Sequence, residues 1–206
     1  MIRFWGITLS LFLTACGGGG GGGDGAGSGI DPRLARIDVY ETQRIRVVGD
    51  PDAGVMGMPQ TDPAQIPVTG AVTYDGSVTI LADTDPAITT LIGDAQVAMD
   101  FDSNAISGQM TAIFGMTDGS ALRDYDGTLV IENGQTGPDH TWSINYAGTL
   151  SSAGDILDFD GAVSGEFLGS DAAAIAGAGF DDTVVVNGAE ADMVITIIGE
   201  RDTSSP

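Results

Sequence analysis

Seven arginines, one histidine, one cysteine and 29 acids are the charged or reactive side chains available to this chain of 206 residues. His140 and Cys16 each stand alone, which excludes a disulfide framework and a Cys/His zinc site, since both need several such ligands. No Gly-x-Ser-x-Gly elbow is present, and no Ser or Asp stands at a useful spacing from His140, so the chain reads as no enzyme and calls for no cofactor. His140 sits just ahead of a strand carrying Trp142, where it could ligate a haem from a loop; a solvated loop histidine is the simpler reading. Aspartates invite a calcium reading at 100–104 (DFDSN) and 155–160 (DILDFD). The first fails as an EF-hand, with Ala105 where Gly is required and Thr111 where a bidentate Glu belongs, and alternating Asp on a strand marks a solvated face. No metal site is assigned.

The balance of charge narrows the partners. A formal charge of −22, with no Lys at all, excludes a charge-driven grip on nucleic acid or an anionic membrane surface and favours a basic partner. The start of the chain points to a membrane by another route. Arg3 is the only charge in residues 1–15, and Ile7, Leu9, Leu11, Phe12 and Leu13 form an apolar run too short to span a bilayer, the layout of a secretory signal. Leu13-Thr14-Ala15-Cys16 resembles the bacterial lipobox, which implies cleavage after 15 and lipid attachment at Cys16. Residues 16–29, with seven consecutive glycines, read as a flexible tether. Gly17 after the Cys resembles lipoproteins sorted to the outer membrane of a Gram-negative bacterium, so the membrane is the expected partner through the N-terminal lipid.

The elements that must position any site follow from the period. Residues 30–67 read as an N-terminal helix and strap: Asp31 caps, Pro32 takes the first helical position, and Gly49 with Pro51 ends a helix over 32–48. Residues 68–201 alternate, with 202–206 as a tail. Val72, Tyr74, Gly76, Val78 and Ile80 share a face, and the same period places strands around Val97/Met99/Phe101, Ile106/Gly108/Met110/Ala112/Phe114, 127–132, Trp142/Ile144/Tyr146, 157–167, 182–187 and Met193/Ile195/Ile197. Turn signals stand at Asn104, Asp118-Gly119, Asn133-Gly134, 152–155 and Asn187-Gly188, and 170–177 (SDAAAIAG) reads as a single helical turn. Eight strands with short links predict an all-β fold, an eight-stranded antiparallel up-and-down soluble barrel with a short N-terminal helix and a one-turn helical insert. A membrane-spanning barrel would show the same alternation inverted; the lack of an aromatic girdle and the side-by-side Asp158, Asp160 and Glu166 favour the apolar-cored form.

The stretch 161–180 resembles the signature of the lipoprotein barrel of transferrin-binding protein B and its relatives. There a strand ending Gly-x-Phe-Tyr-Gly-Pro leads through a short Ala-containing turn to Gly-x-Phe. Gly165, Phe167, Gly169, Ala172, Gly177 and Phe180 stand in those places, with Leu168 for the aromatic and Ser170 for the Pro. The resemblance covers about 68–200 and implies a barrel corner in which Phe167 and Phe180 fill the barrel end while Ala172 and Ile175 plug it. It further implies a surface or periplasmic lipoprotein that binds a host iron protein, haem or another ligand. Residues 30–67 are too few for the handle domain of the family's transferrin binder.

Two classes of function remain. One is a binding module that captures an unknown protein or small molecule through loops at a barrel rim; the other is a structural envelope lipoprotein with no soluble ligand. A rim loop over 115–126 with Met116, Leu122, Arg123 and Tyr125, together with His140, is the expected ligand contact, and the strap with Met56 and Met58 is second.

Overall fold

The computed structural model describes residues 31–137 and 141–202. Helix α1 runs Pro32–Val48; the Asp31 side chain accepts from the Arg33 amide at 3.0 Å, and Gly49, at φ +82°, closes the other end. Eight strands follow: β1 (Ala71–Asp83), β2 (Ile88–Asp100), β3 (Ala105–Thr117), β4 (Leu129–Thr136), β5 (Thr141–Ser152), β6 (Asp155–Leu168), β7 (Ala174–Val186) and β8 (Ala189–Arg201). Each pairs antiparallel with the next, and β8 pairs with β1, so the sheet closes on itself. β3 and β4 pair only from Ala105 to Met110. Above it the wall is completed by Arg123–Asp124 laid on β3 and Asp126–Gly127 laid on β5.

The apolar stripes face inward. Trp142, Tyr74, Tyr146, Phe167, Met99, Met110 and Ile80 are fully buried in one cluster that fills the barrel, as expected where eight strands leave room only for packed side chains. Asp75-Gly76 lies inside β1, as the clean faces require. β2, however, begins nine residues before Val97, and Phe101 lies beyond its end. Asn133-Gly134 is not a hairpin turn: Asn133, at φ +51°, sits at a register shift within β4.

Two further bulges overturn the alternation locally, because one extra residue exchanges the faces of everything after it. In β3 the shift opposite Ile92 and Asp94 falls at Ala112, φ +50°, so Ile113 takes the inner position and Phe114 lies on the outer wall beneath Arg36, whose guanidinium stands 4.8 Å from its ring centroid. In β7 the shift between Gly179 and Asp182 turns Phe180 outward, 57% exposed; it does not fill the barrel end. The helical turn of the insert is a 3-10 turn over Ser170–Ala172 only. From Ala174 the Ala-rich run is strand, its amides taken by the ladders to β6 and β8.

Helix α1 crosses the outer wall. It carries four of the seven arginines, and Arg36 pairs with Asp94 at 3.3 Å while Arg46 pairs with Glu200. Tyr40 donates to Asp94 at 2.5 Å; burial first, then that bond, pushes its phenol up to about 12. Val47 completes a small outer cluster with Ala174, Ala176 and Ile198. No helix among the described residues is long and apolar enough to cross a membrane.

Candidate functional site

The barrel ends are built differently, and five of the six motif positions, all but Phe180, lie at or near one of them. Gly165 of β6 and Gly177 of β7 stand directly opposite each other. A Cβ on Gly165 would meet Trp142 Cζ2 at 2.3 Å, and one on Gly177 would meet Trp142 Cη2 at 2.4 Å. The glycine pair is therefore a bed for the indole, and its role is close approach. Phe167 packs on Phe101 with centroids 6.0 Å apart. Gly169, at φ +77°, turns the chain over the opening, and Asp171 and Ala172 follow at φ +55° and +54°. Ala172 is fully buried and its carbonyl accepts from the Tyr74 hydroxyl at 2.9 Å; burial raises that phenol's pKa. The strap seals this end further. The Thr61 amide donates to Phe167 O at 2.9 Å, its hydroxyl to Gly169 O at 2.7 Å, and Ile66 packs on the core.

The opposite end is left open. A cavity of about 180 Å³ lies at the mouth, between the β1–β2 connection and the starts of β6 and the 123–127 segment. Arg123 and Asp155 pair across it at 2.7 Å. Arg123 Nε donates to the Tyr125 hydroxyl at 2.9 Å, and the guanidinium stands 5.0 Å from that ring's centroid. Asn187 Nδ2 holds the other Asp155 oxygen at 3.0 Å; Asn187 first, then Arg123, keeps this carboxyl below the ordinary carboxylate value. Thr89 and Thr117 share a hydroxyl contact of 2.9 Å on one side, while Leu157 and Val186 supply an apolar side.

Of the expected ligand contacts, Arg123 and Tyr125 come together at this mouth. They do so as part of the wall, and Tyr125 is buried rather than displayed. Met116 lies on β3 and Leu122 in the turn, both half-buried and neither lining the cavity. His140 and Cys16 lie outside the described residues. In the strap Met56 is 90% exposed, while Met58 packs on the outer cluster. Thr89 and Thr117 escaped the sequence reading, and Asp155, weighed there only as part of a calcium run at 155–160, instead pairs with Arg123. The two threonines carry a signal only in retrospect, as hydroxyls in phase with an apolar stripe where a strand ends. A larger cavity, about 470 Å³, runs along α1 beside Val39, where Gln43 bonds Asp75 O and Glu200, and Arg46 pairs with Glu200. Among the described residues no group of three or more His, Cys, Asp or Glu could hold a metal.

Fold and mouth together define a filled, closed up-and-down β-barrel with one sealed end and one polar vestibule. No family model matches the chain, and no curated protein matches it. Among solved structures it is similar to the isotype 1 transferrin-binding protein B of serogroup B Neisseria meningitidis, with 14% identity over 70% of this chain and a TM-score of 0.45. It is also similar to a double mutant of the vaccine antigen transferrin-binding protein B from Haemophilus parasuis Hp5, with 18% identity over 69% of this chain and a TM-score of 0.45. The chain spans 28% of the length of each.

Proposed function

We propose that this chain is a lipid-anchored, non-catalytic binding module of the Gram-negative outer membrane that takes its ligand at the open mouth of its barrel. In this reading residues 1–15 are the signal, Cys16 carries the lipid, 16–29 are the tether, 30–67 clamp the barrel of 68–201, and 202–206 are a tail. The observation that carries it is the asymmetry of the ends: one is sealed by Ala172 and the strap, whereas the other keeps a guanidinium, a carboxylate and hydroxyls around a cavity. The filled interior leaves no room for haem inside the barrel, so a haem- or iron-related partner, implied by the family resemblance, would have to be met at the rim. That same filling favours the second reading, a structural envelope lipoprotein.

One set of variants tests both parts. Cys16→Ser is expected to move the protein from the membrane fraction to the soluble one; unchanged fractionation would overturn the anchor. Immobilised full-length protein in detergent, challenged with haem, iron complexes and envelope proteins, is expected to retain a partner that Arg123→Gln loses. Equal retention by both proteins, or none by either, contradicts a mouth-centred module.

A further inference from the structure

The vestibule's hydrogen-bonding inventory narrows the ligand. The Tyr125 side chain, 4% exposed, accepts from Arg123 Nε, and its own proton goes to no acceptor among the described residues. Thr89 is 5% exposed; of the Thr89 and Thr117 hydroxyls one donates to the other, which leaves the second proton undonated. Two hydroxyl protons at the edge of the core therefore face the open cavity, where water or the polar groups of a ligand take them. Hydroxyl oxygens and Asp155 supply acceptors beside these donors, and Leu157 and Val186 give one apolar side.

Charge decides between ligand classes. Asp83, Asp85, Asp118, Asp124 and Asp126 stand at this end of the barrel, so an anion enters against the field. A metal ion finds no cluster of three or more ligands among the described residues, and the one carboxylate lining the cavity, Asp155, already has its charge paired with Arg123 while its remaining lone pairs can still accept from a hydroxyl. What remains is a neutral molecule whose groups both donate and accept. Vicinal hydroxyls meet this need, since a planar guanidinium–carboxylate pair offers a donor edge beside an acceptor edge. Size agrees: 180 Å³ holds about six waters at ~30 Å³ each and falls below the ~300 Å³ where drug-sized pockets begin.

We propose that the vestibule binds a neutral cyclic polyol, the size of one sugar ring, through the hydroxyls of Tyr125, Thr89 and Thr117 and the Arg123–Asp155 pair, with its C–H face on Leu157 and Val186. This deepens the binding-module reading and rests on it for the place of capture. A free monosaccharide and the terminal ring of a glycan share this chemistry.

Calorimetric titration of the full-length protein in detergent tests it with glucose, galactose, mannose and myo-inositol. Methyl glycosides and disaccharides serve as the glycan-end arm, and glucuronate and glucosamine as charged counterparts. At least one neutral ring is expected to saturate, more tightly than either charged analogue; selective binding of glycosides identifies the glycan end as the source. Tyr125→Phe and Thr117→Val, each checked for an unchanged melting temperature, are expected to weaken it about five- to tenfold, the loss of one hydrogen bond. No saturation by any neutral polyol, preference for a charged analogue, or binding indifferent to both variants overturns the proposal. If polyols fail while protein capture still depends on Arg123, the module reading stands and this inference falls; failure of both assays removes both.

Discussion

The sealed end and the open mouth are made from the same strands, yet they spend their side chains differently. At the sealed end β6 and β7 give up their side chains at Gly165 and Gly177 so that Trp142 can lie flat, and a buried phenol holds a left-handed turn in place. The stabilisation there comes from shape, so small changes are felt in full. At the mouth the same barrel ends in Thr89, Thr117, Arg123 and Asp155, groups whose bonds are partly exposed to water and worth less to folding. One end is committed to stability, and the other is available to a ligand.

The most severe way to break this contrast is Gly177→Ala. Its Cβ would enter the Trp142 indole and approach Ser164 O at 2.9 Å, with backbone on one side and a fully buried ring on the other. A loss of about 3 kcal/mol is expected, the upper range for overpacking, read as a melting temperature lower by about 6–12 °C. Thr117→Val at the mouth should cost under about 1 kcal/mol by the same measurement. Gly177→Ala should cost less in a Trp142→Leu background than in the parent, because the methyl then has somewhere to go. A Gly177→Ala protein as stable as the parent would mean the two ends are not distinguished by packing.

A pair of tyrosines sharpens the contrast at intermediate size. Tyr74→Phe strands the buried Ala172 carbonyl and should cost about 1–2 kcal/mol in denaturant titration. Tyr125→Phe removes an acceptor from Arg123, which keeps Asp155 and access to water, and should cost about 0.5 kcal/mol or less. Equal costs would argue that Tyr125 is as structural as Tyr74.

How much of this could be read from residue order follows the same division between local and closed-ring effects. Helix α1 begins and ends where Asp31, Pro32 and Gly49 place it, because caps are local. The strands show because an apolar core imposes period two along each of them. What escaped are the bulges at Ala112 and between Gly179 and Asp182, whose extra residue is fixed by the neighbouring strand; they alone move Phe114 and Phe180 to the outer wall. The motif glycines were legible as a barrel corner, but their function was not, since Trp142 arrives from β5 only when the sheet pairs. At the mouth Arg123 and Tyr125 announced themselves as a charge and an aromatic in a turn-rich segment. Their partners Asp155, Thr89 and Thr117 come from other strands and meet only on closure.

The effect most specific to the mouth is a small one that depends on pH. Asp155 is ionised below its ordinary range because Asn187 and Arg123 bond the charged form. A depressed carboxylate contributes stability that is fully present above its unfolded value and is lost as pH falls through its folded one. Asp155→Asn removes that contribution alone. The melting-temperature difference between parent and variant should therefore be level above the ordinary aspartate range and close towards zero as pH falls below it, while the other aspartates cancel in the subtraction. With side chains about a third exposed, the plateau should stay within about 1 kcal/mol and shrink with added salt. Tyr74→Phe compared with parent should show neither dependence, since neither partner in that bond titrates in this range. A gap for Asp155→Asn that persists unchanged into acid would mean that the mouth is held by shape, as the sealed end is, and is not a polar site kept open to water.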